Sequence, residues 1–339
     1  MSVRALSAVY GSAATLRRRW YAARPSRVRR LSRPVISVGN LCVGGSGKTP
    51  TVACLARLLL ARGEHPAILS RGYGRRDSSP GVTVVSDRAG VRALLACSGD
   101  EPLLLARMLP GVPVLVCADR YRAGLDAESH HGATVHILDD GFQHVRLARA
   151  VDLLLVDETD LSDRVLPSGR LREPLANAAA ADAVIMPGAT AMRARAVADQ
   201  LGVRDVFTAV RTLGPPAALG AAPVPLPEGT PLFAVAGIAR PQRFLDDLEA
   251  AGHQIVGSRV FRDHHPFTQA DVVAVAAEAR VRGARAVVTT EKDAVRLVDL
   301  DLSEMPWLSV PLVTRLEPAD AFAAWLTGRL AQARAQEAR

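Results

Sequence analysis

The segment GNLCVGGSGKTP, residues 39–50, combines closely spaced glycines with a lysine and a threonine. Glycines let a loop turn its backbone N–H groups inward onto phosphate oxygens, and Lys48 would add a positive charge at the outer phosphates. Thr49 would offer its hydroxyl to Mg²⁺, and Pro50 is tolerated because a first helical turn needs no N–H partner. The segment predicts a nucleotide phosphate site. The residues predicted to form it are Gly44, Gly45, Ser46, Gly47, Lys48, Thr49 and Pro50.

This loop departs from the commonest phosphate-loop pattern, G-x-x-x-x-G-K-[ST], at its start. Cys42 stands where that pattern has its first glycine, and Val43 replaces the first lysine of the variant found in partition ATPases. Lysine is nevertheless rare in this chain, since only Lys48 and Lys292 occur among 42 basic residues. A glycine-rich turn with an incidental lysine is therefore the weaker alternative.

Two adjacent carboxylates, Asp139 and Asp140, follow an apolar run within HILDDGFQH, residues 136–144. A P-loop enzyme needs an acid at the tip of a neighbouring strand to hold Mg²⁺ directly or through water. Gly141 permits the sharp exit that such a position requires. The two acids could instead cap a turn, but the phosphate loop upstream favours the metal role.

Two further polar clusters are candidates for handling the group that accepts phosphate. Asp100 begins a predicted helix in GDEP, residues 99–102, and helix capping is the simpler interpretation of it. On a later loop Asp263 precedes His264 and His265, and histidines in such loops are usually solvated. A metal pair there would lack a third nitrogen or sulfur ligand nearby in the sequence.

The elements that must position these residues are short β-branched strands that alternate with helical patterns. Several strands are apolar throughout, as expected of parallel strands covered on both faces. The predicted strands are 34–38, 67–70, 112–117, 134–138, 152–157 and 182–186. A helix over 51–63 separates the first two and ends at Gly63. This order predicts an α/β fold, a P-loop NTPase-like doubly wound and mostly parallel sheet.

Residues 214–229 are rich in proline, glycine and alanine, and predict a linker. The α/β rhythm then resumes with PLFAVAG, a helix through FLDDLEAAG, a polar loop, a helix over 269–282 and ARAVVTT. A second, smaller α/β domain follows from this pattern. The predicted divisions are an N-terminal helix (1–33), a phosphate-binding domain (34–213), the linker (214–229) and the smaller domain (230–339).

Positive charge is concentrated at the N-terminus, because residues 1–33 hold nine arginines and no acid. The rest of the chain is close to neutral, which disfavours a nucleic-acid partner. The first twenty residues lack an apolar run of the ~20 residues that a membrane span needs. They predict either an amphipathic helix on an anionic bilayer surface or an ordinary basic helix packed on the domain. The four cysteines are scattered and favour neither a disulfide framework nor a zinc site.

A set of segments in fixed order resembles the tetraacyldisaccharide 4′-kinase family of lipid A biosynthesis. These segments are GNLCVGGSGKTP (39–50), SRGYGR (70–75), GDEP (99–102), LDDGFQH (138–144), GRLREP (169–174), FRDHH (261–265) and TTEKD (289–293). The resemblance spans nearly the whole chain, and LDDGFQH and GRLREP are more specific than the phosphate loop.

The resemblance implies transfer of the ATP γ-phosphate to the 4′-hydroxyl of the tetraacyldisaccharide 1-phosphate lipid A precursor, forming lipid IVA. It implies ATP and Mg²⁺ as cofactors and an acylated glucosamine disaccharide lipid as the acceptor. Because that acceptor resides in a bilayer, a peripheral enzyme on the cytoplasmic face of the bacterial inner membrane is expected, docked by the basic N-terminal helix.

The resemblance also implies roles for individual residues. The family's catalytic aspartate falls on Asp100 and its partner histidine on His264, although His265 leaves that position ambiguous; Lys48 is the third catalytic residue. Such a dyad would orient the acceptor hydroxyl and take its proton. The implied metal ligands are Thr49, Asp139, Asp140 and Glu173. The implied substrate contacts are Arg71, which is as readily a turn arginine, Gln143, His144 and Arg172. Lys292 is given no role.

Two other functional classes fit part of the sequence. A P-loop switch or partition-type ATPase would hydrolyse ATP to drive a change in a protein partner, without a small-molecule acceptor. A soluble kinase or ligase acting on a small metabolite would leave the basic N-terminal segment unexplained. A GTPase is disfavoured because TTEKD does not match the guanine-specific N-K-x-D motif.

Overall fold

The computed structural model of the chain describes residues 2–45, 47–75, 77, 81–219, 227 and 229–337. Ser46 of the phosphate loop and residues 220–226 and 228 of the predicted linker lie outside the described residues. The helices are α1 Val3–Ala22, α2 Lys48–Leu60, α3 Leu95–Ser98, α4 Asp100–Met108, α5 Arg120–His131, α6 Ala191–Leu201, α7 Pro241–Ala250, α8 Gln269–Val281, α9 Glu291–Leu297 and α10 Ala319–Glu337. The strands are β1 Val35–Asn40, β2 Pro66–Ser70, β3 Thr83–Asp87, β4 Gly90–Val91, β5 Val114–Val116, β6 Val135–Asp139, β7 Val151–Leu155, β8 Ala183–Pro187, β9 Asp205–Leu213, β10 Ala217–Leu219, β11 Leu232–Ala236, β12 Ile255–Val260, β13 Ala286–Thr290, β14 Trp307–Val310 and β15 Leu312–Glu317.

The first unit, Met1–Val210 with Thr314–Arg339, is built on one large sheet. Its described strands run in the order β15-β9-β8-β7-β1-β6-β2-β5-β3-β4. β1 pairs in parallel with β6 and β7. On one side β2 pairs in parallel with β6 and β5, and on the other β8 pairs in parallel with β7 and β9. β3 pairs antiparallel with β4 and β5. The predicted doubly wound, mostly parallel sheet is confirmed.

The central strands of this sheet are fixed by apolar packing on both faces. Every residue of β1, β2, β6 and β7 is buried. One face packs in two clusters, one that includes Leu69 and Leu138 and one that includes Phe142 and Leu154. The opposite face carries Ile36, Val38 and Ile137, which are also fully buried. Because both faces are covered, the carboxyl ends of β1 and β6 are held side by side, where parallel α/β sheets bind ligands.

The second unit, Arg211–Val313, is a smaller α/β structure with its own core. Its described strands run in the order β10-β14-β13-β11-β12. β11 pairs in parallel with β12 and β13, β13 pairs in parallel with β14, and β10 pairs antiparallel with β14. A second, smaller α/β unit is therefore present as the sequence predicts.

Two predictions within the second unit are wrong. Residues 214–229 are not simply a linker, because they contain β10, which forms an edge of the second sheet. An edge strand tolerates the neighbouring prolines that disfavour an interior one. The polar loop predicted after α7 likewise contains a strand, β12, at the opposite edge of that sheet.

The prediction that residues 230–339 form one domain is also wrong at its end. β15 pairs with β9 in the first sheet, and α10 packs on the first unit. Trp325 of α10 donates to Asp205 Oδ2 at 2.8 Å, and the Phe322 and Phe207 rings meet edge to face with centroids 4.9 Å apart. This return of the chain depends on long-range contacts that local sequence patterns do not encode.

Candidate active site

The phosphate loop joins β1 to α2, and its glycines adopt conformations that other residues rarely take. Gly44 has a φ of 112°, and Gly47, the N-cap of α2, has a φ of 82°. A Cβ added at either glycine would approach no described atom closer than 4.0 Å, so conformation rather than space requires glycine. Gly45 is exposed, and Thr49 and Pro50 lie in the first turn of α2. The loop thus presents the positive end of α2 to an anion.

Lys48 lies between the tips of two adjacent strands. Its Nζ donates to Asn40 Oδ1 at 2.9 Å, at the end of β1, and lies 3.3 Å from Asp140 Oδ1, just beyond β6. Its side chain is only 10% exposed, so its charge acts in a poorly solvated environment. Asn40 also donates to the Cys42 carbonyl at 2.8 Å and so fixes the start of the loop.

Asp139 ends β6 and lies opposite Val38 of β1 in the sheet register. Its carboxylate is buried; Oδ2 accepts from Ser70 Oγ at 3.1 Å, whereas Oδ1 has no hydrogen-bond partner among the described residues. Burial, reinforced by the negative charges of Glu101 and Asp140, raises the pKa of Asp139 to about 7. A cation would satisfy this buried oxygen.

Asp140 adopts a left-handed φ of 54°, which aspartate tolerates better than most residues. Its Oδ2 accepts from Arg172 Nη1 at 2.6 Å, and its Oδ1 faces Lys48. Burial alone would raise the pKa of Asp140, but the positive charges of Lys48 and Arg172 outweigh burial and lower the pKa below its usual value. The pKa values of these two neighbouring aspartates are therefore shifted in opposite directions.

The residues at this edge of the sheet fit a magnesium ion that is shared with phosphate. Mg²⁺ usually takes one or two carboxylates and completes its shell with phosphate oxygens and waters. Asp139 and Asp140 would supply the carboxylates, and Thr49 is in the first turn of α2. Within the described ranges, no group of three or more His, Cys, Asp or Glu side chains could enclose a metal by itself.

Glu173 has partners other than those its predicted metal role would suggest. Arg18 of α1 donates to both of its carboxylate oxygens, at 3.0 and 3.1 Å, and Asn177 Nδ2 donates to Oε2 at 2.8 Å. The Glu173 side chain is 5% exposed, so this pair is nearly desolvated. Its place among the metal ligands stays a prediction.

Magnesium binding is expected to depend on pH through Asp139. Because the carboxyl must lose its proton to bind a cation, apparent Mg²⁺ affinity should rise about tenfold per pH unit below about pH 7 and level off above it. Calorimetry of Mg²⁺ binding in the presence of ADP, in buffers of different ionisation enthalpy, would detect the released proton. A flat profile with no proton release would contradict this prediction, and Asp139→Asn is expected to remove the slope.

Asp100 and the SRGYGR segment are brought together at the start of α4. Asp100 is buried in the first turn, where its Oδ1 accepts from the Glu101 amide at 3.1 Å, and the N-cap of α4 is Gly99 rather than Asp100. A Cβ on Gly99 would lie 2.8 Å from the Tyr73 carbonyl oxygen, so glycine permits this close approach. Because Glu101 also raises the pKa of Asp139, the start of α4 lies close to the predicted metal site.

A buried arginine that the sequence did not single out lies within electrostatic range of Asp139 and Asp140. Arg120 begins α5, donates from Nη1 to the Ala118 carbonyl at 3.0 Å, and has an unpartnered Nε among the described residues. Burial lowers the pKa of Arg120, and the charge of Arg71 lowers it further, whereas the two aspartates raise it. Arg71 and Arg120 therefore add positive potential where phosphate is predicted to bind.

Gln143 and His144 occupy different positions on the loop after β6. Gln143 Nε2 donates to the Asn40 carbonyl at 3.0 Å, which ties this loop to the end of β1. His144 is half-buried, and burial together with the charges of Arg120 and Arg149 lowers its pKa to about 3. His144 is therefore neutral at physiological pH and can serve as a hydrogen-bonding group but not as a cation.

In the second unit the two adjacent histidines have different environments. His265 Nε2 lies 3.1 Å from Asp271 Oδ2, and its ring stacks on Phe261. His264 has a left-handed φ of 58°, and its Nε2 lies 3.2 Å from Lys292 Nζ. Both histidines therefore have polar neighbours, and the choice between them as dyad partner stays open. The Asp100–His264 pairing itself stays a prediction.

Three residues that contact or electrostatically influence the site were not found from the sequence. Asn40 contacts Lys48, Arg120 lies near the aspartates, and Arg18 reaches the loop after β6 from α1. Asn40 had one local signal, its position as the last residue of a buried strand before the phosphate loop. The other two are distant in sequence, and no spacing rule connects them to the site.

The fold and the site together define a P-loop α/β protein of the nucleotide-binding class, with Lys48 and Asp139 at adjacent strand tips. The family model for the tetraacyldisaccharide-1-P 4′-kinase, LpxK, matches residues 1–331. This chain belongs to that family, and the resemblance noted in the sequence is confirmed.

Curated relatives and a solved structure agree with this membership. A tetraacyldisaccharide 4′-kinase of Geobacter metallireducens is 43% identical over 312 residues, covering 86% of this chain and 87% of the relative. A tetraacyldisaccharide 4′-kinase of Syntrophus aciditrophicus is 38% identical over 338 residues, covering 93% of this chain and 89% of the relative. The crystal structure of LpxK from Aquifex aeolicus in complex with ATP has a TM-score of 0.76 and 30% identity, covering 97% of this chain and 98% of that one.

Proposed function

We propose that this protein is an ATP-dependent kinase that phosphorylates the 4′-hydroxyl of a tetraacyldisaccharide 1-phosphate lipid, producing lipid IVA. The observation that carries the proposal is the meeting of Lys48, Asp139 and Asp140 at the tips of β1 and β6, in a chain of this family. The names of the relatives give the reaction, and the similar structure in complex with ATP supports ATP as the donor.

The donor phosphates would lie in the loop before α2, where backbone N–H groups and the helix dipole favour anions. Lys48 would contact the β- and γ-phosphates from its position 3.3 Å from Asp140, and Arg172 would help neutralise charge as the phosphoryl group moves. When bound by Asp139, Asp140 and Thr49, Mg²⁺ would neutralise charge on the phosphate oxygens.

The acceptor hydroxyl would be activated by a base. The 4′-hydroxyl oxygen forms a bond to the γ-phosphorus, the bond from that phosphorus to the β–γ bridging oxygen breaks, and ADP leaves. The hydroxyl proton would pass to Asp100, for which the family resemblance implies His264 as the partner. The location of Asp100 supports its role, because it is buried in the first turn of α4 beside Glu101, whose charge acts on Asp139.

A cavity of about 470 Å³ in the first unit suits the phosphorylated sugar of this acceptor. Aromatic and basic residues predominate in its lining, which includes Tyr21, Arg29, Tyr121, His144 and Arg146. Arginines bind phosphate through paired N–H groups, and aromatic rings pack on sugar faces. His144 joins this cavity to the loop that carries the two aspartates.

We also place α1 on the cytoplasmic face of the bacterial inner membrane as a peripheral anchor. Its body-facing side is polar or small, whereas its apolar side chains point outward, with Leu16 at 68% and Val9 at 59% exposed. The residues that share this outward face are Val3, Leu6, Val9, Tyr10, Leu16 and Trp20. Most of the arginines of residues 1–33 are exposed around it. Among the helices that the structure describes, none is long and apolar enough to cross a bilayer.

Replacing Leu16 with glutamate is expected to weaken binding to anionic vesicles by about tenfold or more, because a buried leucine contributes roughly 1.5–3 kcal/mol at such a surface. Co-sedimentation with phosphatidylglycerol vesicles at low and high salt measures the effect. Ala8→Glu is the matched control, because it adds the same charge at a position of α1 that is also exposed but lies off the apolar face. Equal loss in both variants would contradict the proposed docking face, and binding indifferent to salt would show that the arginines do not contribute.

The proposed reaction is tested directly by incubating the full chain with γ-labelled ATP, Mg²⁺ and tetraacyldisaccharide 1-phosphate in detergent micelles. We expect label in the lipid at the 4′-position, identified by mass spectrometry of the fragmented product. Hydrolysis of ATP without label in the lipid would overturn the proposed function and favour a switch-type ATPase.

A further inference from the structure

Arg18 of α1 makes the strongest connection between that helix and the predicted active site. Its guanidinium forms a two-point ion pair with Glu173, with side chains only 11% and 5% exposed. The same group donates from Nη2 to the Phe142 carbonyl at 2.9 Å and lies over the Phe142 ring, 4.1 Å from its centroid. Planar arginine satisfies these contacts together, whereas a lysine ammonium could not.

Arginines hold successive carbonyls of the loop that follows Asp140. Arg149 donates to the Gly141 carbonyl at 3.2 Å, Arg18 to that of Phe142, and Arg17 to that of Gln143 at 3.0 Å. Two of these three arginines belong to α1. The loop is also pressed against β1, because a Cβ added at Gly39 would lie 2.6 Å from Phe142 atoms.

From this loop the contacts continue to the phosphate-binding lysine. Gln143 donates to the Asn40 carbonyl at 3.0 Å, and Asn40 Oδ1 accepts from Lys48 at 2.9 Å. On the other side, Glu173 follows Arg172, which binds Asp140 at 2.6 Å. Arg18 therefore holds both neighbours of Asp140 in the structure: the loop after it and the segment that supplies its arginine.

The rest of α1 is attached to the body by small and polar contacts. Ser7 donates to Ser168 Oγ at 2.7 Å, and Thr15 donates to Asn177 Oδ1 at 3.2 Å. A Cβ on Gly11 would lie 3.2 Å from Pro174. The buried residues of α1 are Ser7 and Gly11, both small, and Arg18 adds an ion pair with Glu173 to these contacts.

We propose that Arg18 is a positioning residue for phosphoryl transfer, which fixes the Asp140 loop and Glu173 from the helix that docks on the membrane. The inference rests on the proposed kinase function, but Arg18 itself touches neither donor nor acceptor in this role. Packing of α1 on the body is then a condition of fast turnover.

The test compares wild type with Arg18→Ala and Arg18→Lys on acceptor dispersed in detergent micelles, where vesicle docking is not limiting. We expect kcat to fall about 10²-fold in Arg18→Ala, since small misplacements of catalytic groups cost that much. The KM for ATP should change little, and calorimetry should still show one MgATP bound per chain. Arg18→Lys should recover only part of kcat. Arg122→Ala, an exposed cation of α5, is the control for loss of one charge and should match wild type.

Hydrogen exchange supplies a second readout that needs no acceptor. The backbone amides of residues 140–144 should exchange faster in Arg18→Ala than in wild type or Arg122→Ala. If Arg18→Ala leaves both kcat and hydrogen exchange unchanged, the positioning role is overturned. It is also overturned if the loss of activity is explained by a smaller fraction of chains that bind MgATP. A wild-type enzyme inactive on this lipid would overturn the proposed function instead, and the exchange result would still decide the role of Arg18.

Discussion

Replacing Lys48 with methionine is expected to reduce phosphate transfer by at least about 10²–10³-fold, the loss typical when one group that neutralises transition-state charge is removed. Lys48 is 10% exposed and lies between Asn40 and Asp140, so its charge acts with little screening. Methionine keeps much of the side-chain volume and removes the charge. Steady-state transfer of labelled phosphate to the lipid, with MgATP affinity from calorimetry, measures both losses.

The result depends on the variant being folded, and the structure offers reasons to expect that it is. Asp140 keeps Arg172 as a partner at 2.6 Å when Lys48 is lost, so this carboxylate is not left without a cation. Arg122→Met removes an exposed charge of the same sign and should retain full activity. Turnover of Lys48→Met at the wild-type rate would contradict the assignment of the phosphate loop, and with it the kinase reaction.

The parts of the site that the sequence predicts are those set by local patterns. A buried strand followed by a glycine-rich loop and Lys48 is readable from residue types alone. The position of Asp139 follows as well, because an apolar strand ending in an acid must place that acid at the carboxyl edge of the parallel sheet. The observed register, with Asp139 opposite Val38, agrees with this reasoning.

Other parts depend on tertiary contacts, for which the sequence has no local signal. Arg18 is one of several arginines in a basic segment, and only the fold distinguishes it from its exposed neighbours by burying it against Glu173. The end of the chain returns to the first sheet through β15 for a similar reason. The prolines and glycines around β10 give this segment a low strand propensity. It forms a strand nevertheless, because an edge position in the sheet tolerates such residues.

The N-terminal segment shows how structure separates alternatives that sequence leaves open. Charge and apolar content fit both a bilayer-surface helix and a basic helix packed on the domain. In the structure α1 does pack on the body, yet Leu16 and Val9 lie on its exposed side and Ser7 and Gly11 on its buried side. A helix packed only for stability would bury its apolar face instead. This inverted arrangement supports the proposed membrane contact.

Replacing Asp100 with asparagine is expected to reduce transfer to the lipid by about 10²–10⁴-fold, the range for loss of a general base, while MgATP binding is retained. Asparagine preserves size and can still accept a hydrogen bond from the Glu101 amide, now 3.1 Å from Asp100 Oδ1, but it cannot take a proton. Loss of transfer with intact MgATP binding distinguishes a kinase from a switch ATPase, because a switch has no acceptor hydroxyl to deprotonate. Single-turnover transfer and calorimetry on the same preparation give both quantities. Full transfer by Asp100→Asn would remove the base from the mechanism, whereas joint loss of MgATP binding and transfer would place Asp100 in nucleotide binding instead.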